Sequence, residues 1–222
     1  MISHFIHNRR PGRRAVVLPL AVIVFLFIVL SRASALPVHP NRAEILDLDT
    51  TSCSDGFSFA VIGDSHSSRT VFPAIIDALG RFNPDFVFSV GDFTNNGKPW
   101  EYEQFVDQIE TAGVPWFAVP GNHEYRTPEG HTSQEGRKRF ERIFGPADFY
   151  FDFCGWRFIG LDVVAYDTLL PAQINKLDRA VRDRGRRSAV FMHYPPMIID
   201  HWEDGIFRSS AETYMRTLED RA

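Results

Sequence analysis

Three short apolar runs in this chain each lead to a glycine and then to side chains that can bind a metal ion. The first polar positions after the runs are 28 and then 30 residues apart, and both intervals contain apolar residues at helical spacing. The pattern predicts strand, helix, strand, helix, strand, with right-handed crossovers that place three parallel strands side by side. The three stretches are Phe57–His66, which reads FSFAVIGDSH, then Phe86–Asp92, and Trp116–Glu124.

The polar side chains at these strand ends should lie close together, because the carboxyl ends of parallel strands meet at one edge of a sheet. A single Asp after a strand is usually a turn or helix-capping residue. A fourth apolar strand, later in the chain, also ends in an imidazole. Four such strand ends are harder to explain as turns or caps. The side chains concerned belong to Asp64, His66, Asp92, Asn122, His123 and His193.

The donor types at these positions indicate the kind of metal. Carboxylate, amide and imidazole groups without thiolates suit iron, manganese or zinc. We expect two divalent or trivalent transition-metal ions, bridged by one carboxylate and about 3.5–4 Å apart. Such a pair stabilises both the attacking and the leaving oxygen of phosphoryl transfer, and a free imidazole can protonate the leaving group. A site of this kind would suit phosphoryl transfer.

The remaining apolar segments predict further strands and helices. The first strand is predicted to be buried on both faces, and the last one, Ser188–Met192, to be buried as well. An aromatic hairpin, Phe149–Phe153 with Arg157–Leu161, alternates poorly between polar and apolar residues, which indicates burial between layers. Predicted helices cover Thr70–Arg81, Pro99–Thr111, Ser133–Phe144, Pro171–Arg184 and Ser210–Glu219.

The first 35 residues have the order of an export signal. Four arginines between positions 9 and 14 precede an uncharged run of 16 residues, Ala15–Leu30, and Ala33-Ser34-Ala35 offers a small-residue cleavage site. A membrane span needs roughly 20 residues, so cleavage after Ala35 is favoured over an N-terminal anchor through residues 15–30, although both stay open. We expect an exported protein, secreted or periplasmic, or one anchored by that run. Residues 36–55 then form a lead-in segment, and residues 56–222 form the folded domain.

The charge and the cysteines limit the partners of the exported part. Without the first 35 residues the formal charge falls from −4 to −9, which argues against nucleic acid as a partner. An exported domain allows a disulfide between Cys53 and Cys154. Two buried free thiols remain the alternative, because pairing depends on a Cα separation that the sequence does not show.

The ordered motifs resemble those of the calcineurin-like metallophosphoesterase superfamily over roughly Phe57–Pro196. That superfamily carries D-x-H, then GD, then GNH[DE], then a single His. The resemblance implies a two-sheet α/β/β/α sandwich with a dinuclear metal site. In this chain the motifs are Gly63-Asp64-Ser65-His66, Gly91-Asp92, Gly121-Asn122-His123-Glu124 and His193.

The same resemblance implies a role for each polar residue of the motifs. Asp64 and His66 would bind the first metal ion, and Asp92 would bridge both ions. The second ion would be bound by Asn122 and His193. His123 would contact the phosphate or act as the general acid.

The chain departs from the superfamily's patterns in three places. Protein phosphatases carry an Arg soon after the second motif and another just before the third, and neither is present here. Purple acid phosphatases place a ligating Tyr three residues after the bridging Asp, where this chain has Asn95. Superfamily members also carry G-H-x-H beyond the single His, and no such motif follows His193. The expected fold is therefore shortened at its C-terminal end, either because the sequence is a fragment or because the site is incomplete.

Two functions are compatible with these observations. The first is an exported metal-dependent phosphoesterase that acts on phosphomonoesters or phosphodiesters. The alternative is a non-catalytic or degenerate exported protein that keeps the scaffold as a binding module or as an unstable remnant, since missing imidazoles would weaken metal binding. Substrate choice would depend on the loops Tyr125–Thr132 and Pro195–Arg208, whose composition does not separate the classes of phosphate ester.

Overall fold

The computed structural model describes residues 41, 48, 53–54, 56–127, 133–165, 169–182, 185–195 and 208–219. All of them belong to the unit Val38–Ala222. The predicted export segment, residues 1–35, lies outside the described residues, as do residues 128–132 and 196–207 of the two predicted substrate loops. Among the described helices, none has the length and apolar character needed to cross a membrane.

The first sheet contains the three parallel strands that the sequence predicts, in the order β1-β2-β3. Helices α1 and α2 connect them. α1 ends where the backbone turns left-handed, with a φ of 45° at the next residue, and α2 begins with a proline in its first turn. The elements are β1 Phe59–Ile62, α1 Val71–Phe82, β2 Phe86–Ser89, α2 Pro99–Glu110 and β3 Trp116–Ala118.

The second sheet is mixed and has the order β4-β5-β6. β4 and β5 form the predicted antiparallel hairpin, and β6 runs parallel to β5. The hairpin turns at Cys154 and Gly155, whose φ angles of 46° and 77° are those that a tight two-residue turn requires. The elements are α3 Gln134–Phe144, β4 Phe149–Phe153, β5 Trp156–Gly160, α4 Pro171–Val181, β6 Arg187–Phe191 and α5 Arg208–Glu219.

Aromatic rings fill the space between the two sheets. The ring centroids of Phe117 in β3 and Phe151 in β4 are 4.1 Å apart, and those of Phe86 in β2 and Phe158 in β5 are 4.9 Å apart. The outer faces of the sheets pack against helices in a second apolar cluster. This is the predicted two-sheet sandwich, and its aromatic interior is built from Phe86, Phe88, Phe117, Val119, Phe149, Phe151, Phe153 and Phe158.

The burial of three strands differs from the prediction. Phe59 and Val61 of β1 are 39% and 49% exposed, because β1 has a strand on one side only within the described part of the chain. The prediction that β1 is buried on both faces was therefore wrong. β6 is also only partly buried, with Arg187 and Ser188 exposed. β4, by contrast, alternates regularly, and the outward Tyr150 is what concealed this alternation in the sequence.

Cys53 and Cys154 form a disulfide with a Cα separation of 5.1 Å, which settles the pairing that the sequence left open. The bond joins the segment before β1 to the turn between β4 and β5. Part of the predicted lead-in segment is thereby tied to the second sheet.

A second residue of the lead-in segment, Asn41, packs against the outer side of β3. Its buried side-chain amide donates to the carbonyl oxygen of Ala118 at 2.9 Å and to that of Pro146 at 3.2 Å. Its Oδ1 accepts from the backbone N–H of Ala118 at 2.9 Å. Asn41 therefore pairs with Ala118 in the way that a neighbouring strand would.

Candidate metal centre

The loops after β1 and β2 lie against each other at the carboxyl edge of the first sheet. The backbone N–H of Asp64 donates to Gly91 at 3.0 Å, and that of His66 donates to Asp92 at 2.9 Å. The φ angles of Asp64, His66 and Asp92 are 57°, 46° and 55°, in a left-handed region that is unfavourable for residues with a Cβ. Three predicted metal ligands thus lie on strained backbone that hydrogen bonds between the loops hold in place.

Two glycines allow the loops after β2 and β3 to touch. A Cβ on Gly121 would lie 2.1 Å from Oδ1 of Asp92. A Cβ on Gly91, whose φ is +94°, would lie 2.4 Å from the nitrogen of Gly121. Both motifs therefore need glycine, because a side chain would push apart the segments that carry Asp92 and Asn122.

The buried carboxylate of Asp92 lies between two imidazoles. Nε2 of His123 is 3.7 Å from its Oδ2, and Nε2 of His193 is 3.5 Å from its Oδ1. The Oδ1 of Asn122 is 3.2 Å from the same Nε2 of His193. The carboxylate can therefore reach two separate groups of donors at once.

Both imidazoles are oriented by backbone carbonyls. Nδ1 of His123 is 2.7 Å from the oxygen of Asn95, and Nδ1 of His193 is 2.9 Å from the oxygen of Val90. A carbonyl only accepts, so Nδ1 carries the proton, and Nε2 of the neutral ring has its lone pair free. Imidazoles that bind metals typically have this second hydrogen bond. Burial lowers the pKa of His123, with Asp92 opposing that shift, so the neutral ring is favoured.

The side chains form two groups of possible ligands that share Asp92. In each group the donor atoms lie within 4.8 Å of one another. One group is His66, Asp92 and His123, and the other is Asp64, Asp92 and His193. The resemblance instead pairs Asp64 with His66, and Nε2 of His66 is 3.9 Å from Oδ1 of Asp64.

These residues fit a pair of transition-metal ions. All the donors are oxygen or imidazole nitrogen, the set that suits iron, manganese or zinc. Asp92 is buried, while the Asp64 side chain is 64% exposed, so the centre opens to solvent on the side of Asp64. The structure brings together all six side chains singled out in the sequence, and the individual roles assigned to them stay predictions.

Glu124 is a buried residue of the site that the sequence did not single out. Its carboxylate accepts from the backbone N–H groups of Asp92, Gly121 and Thr94 at 2.7, 2.7 and 2.8 Å, and from the Thr94 hydroxyl at 2.9 Å. Burial raises the pKa of Glu124, and the hydrogen bonds from Thr94 and Gly121 oppose that rise by favouring the ionised form. In the sequence Glu124 is the last residue of the third motif, and the neighbouring residues do not indicate which groups it would bind.

A second polar network lies next to the third motif. The Tyr125 hydroxyl donates to Oδ2 of Asp162 at 2.9 Å, and Nη1 of Arg137 lies 3.6 Å from the same oxygen. Burial raises the pKa of the Tyr125 hydroxyl and of the Asp162 carboxyl. The network joins the loop after β3 to α3 and to the end of β5, so the second sheet also supports the candidate metal centre.

The fold and the site together define a two-sheet sandwich with a candidate dinuclear metal centre at a sheet edge. The model of the calcineurin-like phosphoesterase family matches residues 57–211, and the chain belongs to that family. The resemblance seen in the sequence is thereby confirmed.

Two curated relatives and one solved structure are similar to the chain. A probable cyclic nucleotide phosphodiesterase of Synechococcus is 30% identical over 57% of this chain and 48% of its own length. A 3',5'-cyclic adenosine monophosphate phosphodiesterase of Pseudomonas aeruginosa is 26% identical over 80% of this chain and 64% of its own length. The chain thus spans about half to two thirds of these relatives. A dimetal phosphatase from Danio rerio shares the fold, with a TM-score of 0.58 and 14% identity over 74% of this chain and 78% of that one.

Proposed function

We propose that the protein is a metal-dependent phosphoesterase that hydrolyses phosphomonoesters or phosphodiesters at a dinuclear centre. The observation that carries this proposal is the position of Asp92, whose two carboxylate oxygens face two different imidazoles. A buried carboxylate between two sets of further oxygen and imidazole donors is suited to share two cations. Membership of the calcineurin-like phosphoesterase family supports the same activity.

In this proposal the ligands follow the motifs. Asp64 and His66 hold one ion, Asn122 and His193 hold the other, and Asp92 bridges them. When bound, the ions would supply charge stabilisation and an activated water for attack on phosphorus. The exposed side of the centre at Asp64 leaves room for a phosphate group to enter from solvent.

His123 is the residue proposed to handle the proton. The Asn95 carbonyl holds its Nδ1, and Nε2 points into the centre beside Asp92. Nε2 carries a proton only in the imidazolium form, which Asp92 favours and burial disfavours. As the bond from phosphorus to the leaving oxygen breaks, His123 would give that proton to the oxygen and return to the neutral ring.

The names of the relatives suggest where a substrate search should begin. Two of them are described as cyclic nucleotide phosphodiesterases, so cyclic nucleotides come first among the diesters to be tested. Nucleic acid is not an expected partner, since the part after residue 35 carries a formal charge of −9. We also propose that the protein is exported, by a cleaved signal or with residues 15–30 as a membrane anchor.

Metal content and turnover of the purified chain test the proposal. The chain is loaded with manganese, zinc or iron, its metal content is measured by mass spectrometry, and hydrolysis of aryl phosphate monoesters, diesters and cyclic nucleotides is followed. We expect two ions per chain and measurable turnover. Asp92→Asn should lower metal affinity and turnover by more than about 100-fold, because loss of a residue that merely supports a ligand costs about 10–100-fold.

Asp77→Asn is the matched control, since Asp77 is an exposed carboxylate on α1 that has no part in the centre. It should leave metal content and turnover unchanged. Two bound ions without turnover on any ester would favour the alternative, a non-catalytic binding module. A chain that takes up no metal would contradict the dinuclear centre itself.

A further inference from the structure

The carboxylate of Glu124 connects the loop after β2 to the loop after β3. It is fully buried, and each oxygen accepts two hydrogen bonds. Oε2 accepts from the N–H groups of Asp92 and Gly121, both at 2.7 Å. Oε1 accepts from the N–H group and the hydroxyl of Thr94, at 2.8 and 2.9 Å. All four donors belong to the segments that carry the second and third motifs.

These bonds act on the backbone of a proposed metal ligand. The N–H of Asp92 donates to Glu124, and Oδ1 of Asp92 accepts from the N–H of His123 at 3.0 Å. The two motifs therefore exchange bonds in both directions, since each contributes a carboxylate that accepts from the other's backbone. Asp92 has a left-handed φ of 55°, so its orientation depends on such bonds rather than on backbone preference.

Among the similar side chains, only glutamate can accept all four hydrogen bonds from this backbone position. A carboxylate is acceptor-only and can take two bonds on each oxygen. A glutamine side chain has one acceptor oxygen, and its NH₂ group would face N–H groups that cannot accept. Aspartate has one methylene fewer and could not reach both Thr94 and Gly121 from the same backbone position.

We propose that Glu124 is a positioning residue for the metal centre, which holds Asp92 and the Asn122-His123 segment at the separation that lets two ions share Asp92. This inference rests on the proposed function. Glu124 touches neither a metal nor a substrate in this role. It acts through the backbone of Asp92 and of Gly121, which directly precedes Asn122.

Glu101 offers a matched control. It is a buried glutamate whose Oε2 accepts from the N–H groups of Asn96 and Lys98, at 3.0 and 2.8 Å. These donors lie in the same connection as Thr94, just before α2, and none belongs to a proposed ligand. Glu101→Gln thus removes a buried carboxylate with backbone partners without touching the metal centre.

The experiment compares the full chain, Glu124→Gln and Glu101→Gln. Urea unfolding and circular dichroism establish that each variant is folded, and titration with Co²⁺ followed by absorption spectroscopy gives the affinity of each ion and its ligand geometry. We expect Glu124→Gln to lose about 10–100-fold in affinity for at least one ion, the range seen when a ligand's supporting partner is removed. Its Co²⁺ spectrum should shift, and kcat should fall with KM nearly unchanged. Glu101→Gln should match the wild type in affinity, spectrum and kcat.

The result that would overturn the inference is wild-type affinity and an unchanged Co²⁺ spectrum for Glu124→Gln. The same loss in Glu101→Gln would also overturn it, because the effect would then be one of general stability. If Glu124→Gln does not fold, Thr94→Val removes one of the four donors, and we expect a loss in affinity of about 2–10-fold. Wild-type affinity in Thr94→Val would count against the inference. If the wild-type chain binds no Co²⁺, the proposed function fails first and the inference fails with it.

Discussion

The aromatic interior packs on one face of the first sheet, and the candidate metal centre lies at the carboxyl edge of that sheet. The two regions depend on different interactions. Between the sheets, Phe86 alone has five aromatic neighbours with centroids 4.9–5.8 Å away. At the sheet edge, Asp92 and Glu124 depend on a few hydrogen bonds with fixed partners. Contacts in the interior are numerous and non-directional, whereas those at the edge are few and directional, so we expect mutations to affect the two regions in different ways.

The two regions also contribute to stability with opposite signs. Each Phe buried between the sheets stabilises the fold by about 1.5–3 kcal/mol. Each ligand with a left-handed backbone costs roughly 1–2 kcal/mol relative to ordinary backbone. The interior thus offsets the strain of the centre, and stability and metal binding should be separable by mutation.

Phe86→Ala tests this separation with the largest expected effect on stability. The side chain is fully buried, so its removal should lower the free energy of unfolding by about 3–5 kcal/mol. The metal content of the folded variant should stay at the wild-type value, because the five aromatic neighbours of this ring are all phenylalanines and none is a proposed ligand. Urea unfolding and metal analysis under native conditions measure the two quantities.

Phe82→Ala is the control for this variant, since Phe82 at the end of α1 is 79% exposed. It should change the free energy of unfolding by no more than about 0.5 kcal/mol. Loss of metal from folded Phe86→Ala would show that the interior and the centre are coupled, and the comparison would then be wrong.

Removal of the disulfide between Cys53 and Cys154 should have the next largest effect. The bond closes a loop with a sequence separation of 101, and its loss should cost about 2–4 kcal/mol in the free energy of unfolding. Cys154 packs against the aromatic interior, so metal binding should not change. Urea unfolding with and without a reductant gives the difference.

The control is a variant with both cysteines replaced by Ser, whose stability should not change with the reductant. Loss of metal from the wild type on reduction would contradict the expectation that the disulfide does not affect metal binding.

The smallest expected effect is at the ion pair between Asp152 and Arg157, on the outward face of the hairpin. Two hydrogen bonds of 2.6 and 2.8 Å from Arg157, together with the nearby positive charge, hold the pKa of Asp152 below its ordinary value. A lowered folded-state pKa means that the ionised carboxylate stabilises the fold above the unfolded pKa of about 3.9, and this contribution is lost as pH falls through the lower folded value. Asp152→Asn should therefore cost no more than about 1 kcal/mol at pH 7, since the pair is partly exposed.

Unfolding of Asp152→Asn and the wild type at pH 7 and at acid pH measures this contribution. The difference between the two proteins should begin to shrink as the pH falls below the unfolded pKa and should vanish only below the lower folded pKa. A difference that grows at acid pH would contradict the sign of the shift. Metal content at pH 7 should be the same in both, because the pair lies on the hairpin, away from the centre.

Much of the fold could be predicted because its signals are local. Apolar runs and helical spacing placed α1, α2 and the strand ends close to their observed positions. The exposure of β1 could not be predicted, because it depends on which strands flank it and not on its own residues. The hydrogen bonds of Glu124 could not be predicted either, since its four donors come from residues up to 32 positions away. The disulfide depended on a Cα distance that only the folded chain defines.

The pairing of Asn41 with Ala118 has a consequence for association between molecules. An exposed strand edge can recruit a strand from another chain, because its N–H and C=O groups are unpaired. At Ala118 both groups are already bonded to one side-chain amide. Within the described part of the chain β3 is the outer strand of the first sheet, and at Ala118 the bonds to Asn41 leave no unpaired backbone group for a strand of another molecule.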